Sequence, residues 1–187
     1  MKLLHLDSSI TGEHSVSRKL SASIVDRLRT ANPDIAIAYR DLAAAPIGHL
    51  TLGDIPAQGE STVILDEFLD ADVVVIGAPM YNFSLPSQLK AWIDRILVAG
   101  KTFSYGETGP VGLASGKRVI LAISRGGFYG AEAPMAAAEH LETYLTTVFG
   151  FIGVTPEFVI AEGVLAGPDQ QQAAMTRAEQ SIRQLAA

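Results

Sequence analysis

Short apolar runs alternate with longer amphipathic stretches along this chain, the pattern of a parallel β-sheet covered by helices. Five runs predict strands: Lys2–Leu6, Ile35–Tyr39, Val73–Gly77, Arg118–Ser124 and Phe158–Ala161. The third and fourth, VVVIG and RVILAIS, are apolar on both faces, which places them centrally between two helix layers. Helices are expected between them at about Ser15–Ala31, Ser61–Leu69, Pro86–Val98, Pro134–Phe149 and Pro168–Leu185. In the third of these, Leu85, Leu89, Ile93, Ile96 and Leu97 recur at helix spacing, with Lys90 and Asp94 four apart on the other side. The expectation is an α/β fold: a doubly wound, five-stranded parallel sheet with helices on both faces, most economically in the order 2-1-3-4-5. Spacing alone leaves other orders open. Two segments break the rhythm, Asp41–Glu60 and Thr102–Ser115, and the second reads as an excursion or hairpin ahead of the fourth strand. No repeat, low-complexity tract or composition shift marks a linker, so residues 1–187 are expected to form one domain.

Composition narrows the chemistry. A chain of 187 residues buries roughly 70% of its unfolded surface on folding, so it needs no disulfide or metal to hold a core. It has no cysteine, which excludes disulfides, thiolate nucleophiles and sulfur-ligated metal clusters together. His5, His14, His49 and His140 lack ligand-like spacing, and no metal is expected. With 14 Lys+Arg against 20 Asp+Glu the formal charge is −6, which opposes attraction to nucleic acid or anionic lipid. Lys2 and Asp7 interrupt the N-terminal apolar stretch too early for a signal peptide, and no run reaches membrane-span length. A soluble, cytoplasmic protein is expected.

In an open α/β sheet the ligand lies beyond the C-terminal strand ends, so the residues after each strand carry the functional question. After the first strand come Ser8 and Ser9, then Ser15-Val16-Ser17 at the start of a long helix. Serine hydroxyls and free amides at a helix N-terminus suit a phosphate. Ser15 alone would be an ordinary N-cap, whereas the cluster reads as a hydroxyl cradle for a phosphate monoester. The third strand runs into Ala78-Pro79-Met80-Tyr81-Asn82-Phe83-Ser84, a composition that fits a flat heterocycle or, more plainly, a surface turn packed on the next helix. The fourth ends in Ser124-Arg125-Gly126-Gly127, whose glycines allow a ligand close to the backbone or simply a tight turn. Arg125 reads equally as a solvated surface charge. Convergence of the three turns at one sheet edge favours a single ligand over three unrelated features.

These residues resemble the flavodoxin-like FMN-dependent NADH-azoreductases, which are also NADH:quinone oxidoreductases. The likeness rests on APMYNF at Ala78–Phe83, SRGG at Ser124–Gly127, the early serines with Ser15 and Ser17, RDLAAAPI at Arg40–Ile47 and GFIG at Gly150–Gly153. QLKAWIDRI from Gln88 is shared more widely among flavodoxin-like quinone reductases. The resemblance implies FMN phosphate contacts from Ser9, Ser15, Val16 and Ser17. It also implies ring contacts from Pro79, Met80, Tyr81, Asn82 and Phe83 on one side and from Ser124, Arg125, Gly126 and Gly127 on the other. The family is homodimeric with active sites near the subunit boundary, which makes Phe103, Tyr105 and Phe151 candidates for a substrate wall, in their own subunit or across the interface. The Ile47–Ser61 connection looks shorter than in longer members, a departure that bears on substrate breadth and on NADH against NADPH as donor.

With FMN bound, the resemblance implies hydride transfer from a nicotinamide to the flavin and from there to a quinone or an aromatic azo compound, in alternation at one stacking site. No protein residue is then required as the catalytic acid. A nonenzymatic FMN-binding electron carrier is the main alternative. A receiver domain would need an acceptor aspartate where this chain has Gly77-Ala78-Pro79, a cysteine phosphatase would need a cysteine, and a Rossmann dehydrogenase would need GxGxxG after the first strand. Gly112–Lys117 imitates a phosphate loop but has the wrong glycine spacing and precedes a strand. Trp92 is expected in packing or at a dimer contact.

Overall fold

The computed structural model, which describes residues 1–55 and 59–186, places twelve regular elements along the chain. They are β1 (Lys2–Asp7), α1 (Val16–Ala31), β2 (Ala36–Asp41), α2 (Glu60–Asp70), β3 (Val73–Pro79), α3 (Ser87–Ile96), β4 (Phe103–Gly106), β5 (Gly109–Gly112), β6 (Arg118–Arg125), α4 (Leu141–Phe151), β7 (Glu157–Glu162) and α5 (Pro168–Gln184). Five strands pair in parallel in the order β2-β1-β3-β6-β7, which is 2-1-3-4-5 once the separate antiparallel pair β4-β5 is set aside. That pair is the hairpin expected within Thr102–Ser115. All seven residues of β3 and seven of the eight in β6 are buried, as doubly covered strands must be.

Alternation along the strands sorts the core into two halves. Leu3, Val73, Val75, Ile120 and Ala122 pack with Leu20, Ile24 and Leu28 of α1 and with Ala174, Ala178 and Ile182 of α5. Leu4, Leu6, Val74, Ile76, Leu121 and Ile123 pack with Phe68 of α2, Leu89, Trp92 and Ile93 of α3, and Leu141, Leu145 and Phe149 of α4. Trp92 is fully buried and stands edge-on to Phe68 with ring centroids 5.9 Å apart, so its role within this chain is packing. Lys117, in the imitation phosphate loop, donates to the carbonyls of Leu69 and Ala71 at 2.7 and 2.6 Å and so closes the C-terminus of α2.

Two of the helix boundaries that differ from expectation do so for a clear local reason. The alanine-rich stretch from Pro134 was expected to be helical, but α4 starts at Leu141 and only Ala136–Ala138 form a short 3-10 turn. Glu139 caps the helix there: its carboxylate accepts from the amides of Leu141, Glu142 and Thr143 at 3.0, 2.8 and 3.1 Å. Helix α3 ends at Ile96 rather than Val98 because the Thr102 hydroxyl donates to Ile96 O at 2.6 Å and accepts from Val98 N at 3.0 Å. Residues 56–58 of the connection singled out as short lie outside the described residues. Among the described residues no helix is long and apolar enough to cross a membrane.

Candidate functional site

The C-terminal ends of β1, β3, β6 and β7 open onto one cleft of about 230 Å³. Ser9, Ser15, Val16, Pro79, Met80, Tyr81, Ser124 and Gly126, all singled out in the sequence, line it. One end is polar. Ser15 is the N-cap of α1, its hydroxyl accepting from Arg18 N at 3.2 Å and lying 3.1 Å from Ser17 Oγ. Ser9 Oγ sits 3.0 Å from Thr11 Oγ1 and 3.1 Å from the Tyr81 hydroxyl, which also accepts from Ile10 N at 3.2 Å. The buried Ser8 hydroxyl donates to Gly77 O at 2.8 Å, tying this loop to the central strand. The other end is apolar, with Pro79, Met80, Val164 and Leu165.

No Lys or Arg lies among the described residues that line the cleft, so an anion there would be held by hydroxyls, backbone amides and the positive end of α1. A polar pocket at a helix N-terminus that grades into an apolar slot fits an elongated ligand with a phosphate at one end and a flat ring at the other. The residues present therefore fit FMN.

The Tyr81–Ser84 turn carries backbone strain beside the apolar end. Tyr81 N donates to Ser84 O at 2.9 Å and Ser84 N to Tyr81 O at 3.1 Å, with φ of 47° at Asn82 and 72° at Phe83. Positive φ at both central residues is the hairpin type that favours Asn-Gly, and a phenylalanine in its second place costs about 1–2 kcal/mol. The conformation is held from outside: His140 N donates to Phe83 O at 3.1 Å, and the Phe83 ring meets Tyr129 edge-on at 6.3 Å. Strain of this kind persists where the surroundings over-determine it, as at ligand clamps. Asn82 and Phe83 themselves are exposed at the rim rather than part of the lining.

Three further expected site residues are placed otherwise. Ser17 is buried beneath Ser15. Gly127 lies next to the lining, where its carbonyl accepts from Gly163 N at 2.9 Å. Arg125, expected beside a flavin ring, turns its side chain away from the cleft toward α4, where it pairs with Glu142, with Glu139 at 3.3 Å and with Glu162 at 3.7 Å. It lines a separate cavity of about 480 Å³ with Tyr129, Glu139 and Glu142.

The aromatic trio is assembled, though not at the cleft. Phe103 lies 4.7 Å from Phe151 and 5.5 Å from Tyr105 between ring centroids. Helices α3 and α4 leave the C-terminal strand ends and run back, so the hairpin after α3 and the last turn of α4 meet at the opposite edge of the sheet. Ala114 N donates to Ile152 O there, and Arg118 N to Asp72 O.

The sequence reading missed Thr11, His14, Val164, Leu165 and Gln171. The last three follow β7, a strand end to which the same rule applies. Backbone bonds from Val164 N to Arg125 O and from Leu165 N to Gly126 O close that turn onto the SRGG loop, at 3.1 and 3.0 Å. A Cβ at Gly126 would stand 2.9 Å from Leu165 Cδ1, the end of an exposed side chain that can turn aside, so the approach is close without requiring glycine.

Comparison with known proteins agrees with this geometry. The sequence pattern of the family described as flavodoxin-like fold matches residues 1–186. The FMN-dependent NADH:quinone oxidoreductase 2 of Bradyrhizobium diazoefficiens is 60% identical over an alignment of 201 residues that covers all of both chains. An azoreductase crystal structure from Bacillus anthracis str. Sterne superposes with a TM-score of 0.90 at 29% identity, covering 98% of this chain and 97% of that one. An FMN-dependent NADH-azoreductase from Bacillus anthracis str. Ames Ancestor, solved in complex with FMN, superposes at 0.86 with 25% identity, covering 100% and 99%. Matched along its whole length in both sequence and fold, this chain belongs to the flavodoxin-like family that contains these FMN-dependent NADH:quinone oxidoreductases and azoreductases.

Proposed function

We infer that the chain is an FMN-dependent NADH:quinone oxidoreductase that also cleaves aromatic azo compounds. The observation that carries this reading is the single cleft in which the serine cradle of α1 continues into the apolar slot of Pro79, Met80 and Tyr81. Bound FMN would supply two-electron hydride chemistry between the nicotinamide and a quinone, with the second proton of the quinol taken from solvent, and cleavage of an azo bond to two amines would need two such cycles. The protein binds, orients and shields. Ser9, Ser15 and the first amides of α1 hold the phosphate, with Ser17 supporting Ser15 from beneath. Pro79 to Tyr81 lie along the ring, the Asn82-Phe83 turn borders it, and the Ser124 and Gly126 backbone lines its other polar edge.

Residues 1–187 act as one FMN-binding domain, with NADH as donor and the cytoplasm as its compartment. Two copies form the working unit. Phe103, Tyr105 and Phe151 sit at the far sheet edge from their own cleft, so in a homodimer they would serve the second copy's cleft. An electron carrier with the same flavin site is the second reading, and slow turnover with NADH would favour it.

The kinetic pattern tests the shared stacking site. With FMN supplied, NADH varied at several fixed benzoquinone concentrations is expected to give parallel double-reciprocal lines, with a higher kcat/KM for benzoquinones than for azo dyes. Intersecting lines would mean that donor and acceptor bind together, contrary to this reading.

A further inference from the structure

Arg18 stands in the first turn of α1, three residues after Ser15, and its guanidinium forms a fork behind the serine loop. Nη1 and Nη2 donate to Asp41 Oδ2 and Oδ1 at 2.7 and 2.8 Å, the bidentate geometry that makes an arginine–carboxylate pair strong and directional. Nη2 and Nε also donate to the carbonyl of Ser9, at 2.7 and 3.2 Å. Nη1 further reaches the Tyr39 hydroxyl at 3.2 Å and lies 3.8 Å from Asp7 Oδ2. Asp41 is anchored in turn, accepting from the amides of Ala43 and Ala44 at 2.9 and 3.0 Å.

The fork ends on the peptide that shapes the cleft. The Ser9 carbonyl is held by Arg18 while the Ser9 hydroxyl faces Thr11 and Tyr81 and the next amide, Ile10 N, donates to the Tyr81 hydroxyl. Two carboxylates stand behind this loop, the buried Asp7 and the partly buried Asp41, and Arg18 is the cation between them. Without it two carboxylates would stand uncompensated behind the loop that the FMN reading assigns to a phosphate, and like charges repel. Arg18 is not part of the cleft lining.

Resting on the FMN reading of the cleft, we propose that Arg18 is a positioning residue for the anionic end of the flavin. It holds the serine loop through the Ser9 carbonyl and offsets the carboxylates of Asp41 and Asp7 behind it. The specificity for a phosphorylated flavin over an unphosphorylated one is thus set partly by a side chain outside the pocket.

The test compares FMN with riboflavin, which carries the same ring and ribityl chain and no phosphate. Dissociation constants are measured by flavin fluorescence titration of the full-length protein and of R18M, R18K and D41N. R18M is expected to weaken FMN roughly 10- to 100-fold, the size of a lost charge-assisted hydrogen bond, while riboflavin moves by less than about threefold. R18K keeps the charge without the fork and should fall between wild type and R18M. D41N removes one of the carboxylates that Arg18 offsets and leaves the bonds to the Ser9 carbonyl, so it should tighten FMN while riboflavin stays unchanged, and it carries the test if R18M does not fold. Equal weakening of both flavins, or FMN affinity untouched in all three variants, overturns the proposal while a wild type that binds FMN leaves the functional reading standing. A wild type that binds neither flavin overturns both.

Discussion

An Arg125→Met variant is expected to fold with markedly reduced stability. Arg125 is 2% exposed and is the cation shared by Glu139, Glu142 and Glu162, which come from the start of α4 and the end of β7. Removing one member of a buried pair costs about 3–5 kcal/mol, because its partner keeps a charge without a counterion. The lower end applies, since Glu142 and Glu162 are partly solvated, so about 3 kcal/mol, or roughly 6–12 °C in Tm for a chain of this length.

The loss should depend on pH. Burial works against ionisation of Glu139, but the amides of Glu142 and Thr143 and the charge of Arg125 together hold its carboxyl below the usual range. A carboxyl depressed in the folded state stabilises the fold above its unfolded pKa, and that contribution fades as pH falls through the folded value. Wild type and variant should therefore differ fully at neutral pH and approach each other in acid, as Glu139 takes up its proton. Urea unfolding at pH 7 and pH 3.5 measures both quantities, and a difference independent of pH would mean that Arg125 acts only through packing.

Gly77→Ala is expected to damage fold and site together. Gly77 lies in the central strand β3, and a Cβ there would meet Asp7 Oδ1 at 2.3 Å, Ser17 O at 3.2 Å and Ser21 Oγ at 3.2 Å. None of these can yield cheaply. Asp7 Oδ1 accepts from Ser21 Oγ at 2.8 Å, Tyr39 donates to Asp7 Oδ2 at 3.2 Å, and the Ser17 carbonyl belongs to α1. Overpacking of a tight core costs about 1–3 kcal/mol and more where backbone must move, so about 3 kcal/mol is expected. Displacement of α1 from β3 would also shift Ser15 from Ser9, so FMN affinity should fall even in the molecules that remain folded. Thermal unfolding with and without FMN checks this, and a variant with wild-type Tm and wild-type flavin affinity would contradict it.

Much of the architecture was legible because a strand covered on both sides has no polar face. Val73 to Gly77 and Arg118 to Ser124 announce central positions by composition alone. The cleft was legible for a topological reason: the strand-end rule leads from Asp7, Gly77 and Ser124 to Ser9, Pro79–Tyr81 and Gly126 without any side-chain detail. The same rule applied to β7 would have reached Val164 and Leu165.

What was misjudged depends on direction rather than on location. Ser124 and Arg125 are consecutive in β6, and consecutive strand residues point to opposite faces, so both could not face one ligand. The start of α4 was hidden because Pro134–Ala138 has good helix propensity, while Glu139 supplies the cap that tertiary structure uses. Phe103, Tyr105 and Phe151 do gather, but at the sheet edge away from their own cleft, which leaves the expected substrate wall to the reading across a dimer interface. Arg18 escaped notice because its partners, Ser9 O and Asp41, are nine and 23 residues away in sequence.

FMN held in this cleft and reduced by NADH would be visible directly. The most direct measurement is the visible absorption spectrum of the full-length protein, purified after FMN is supplied, before and after anaerobic addition of NADH. Flavin bands that stay with the protein and bleach on NADH addition are the expected result. A protein that retains no flavin, or one whose flavin NADH leaves oxidised, would contradict the account.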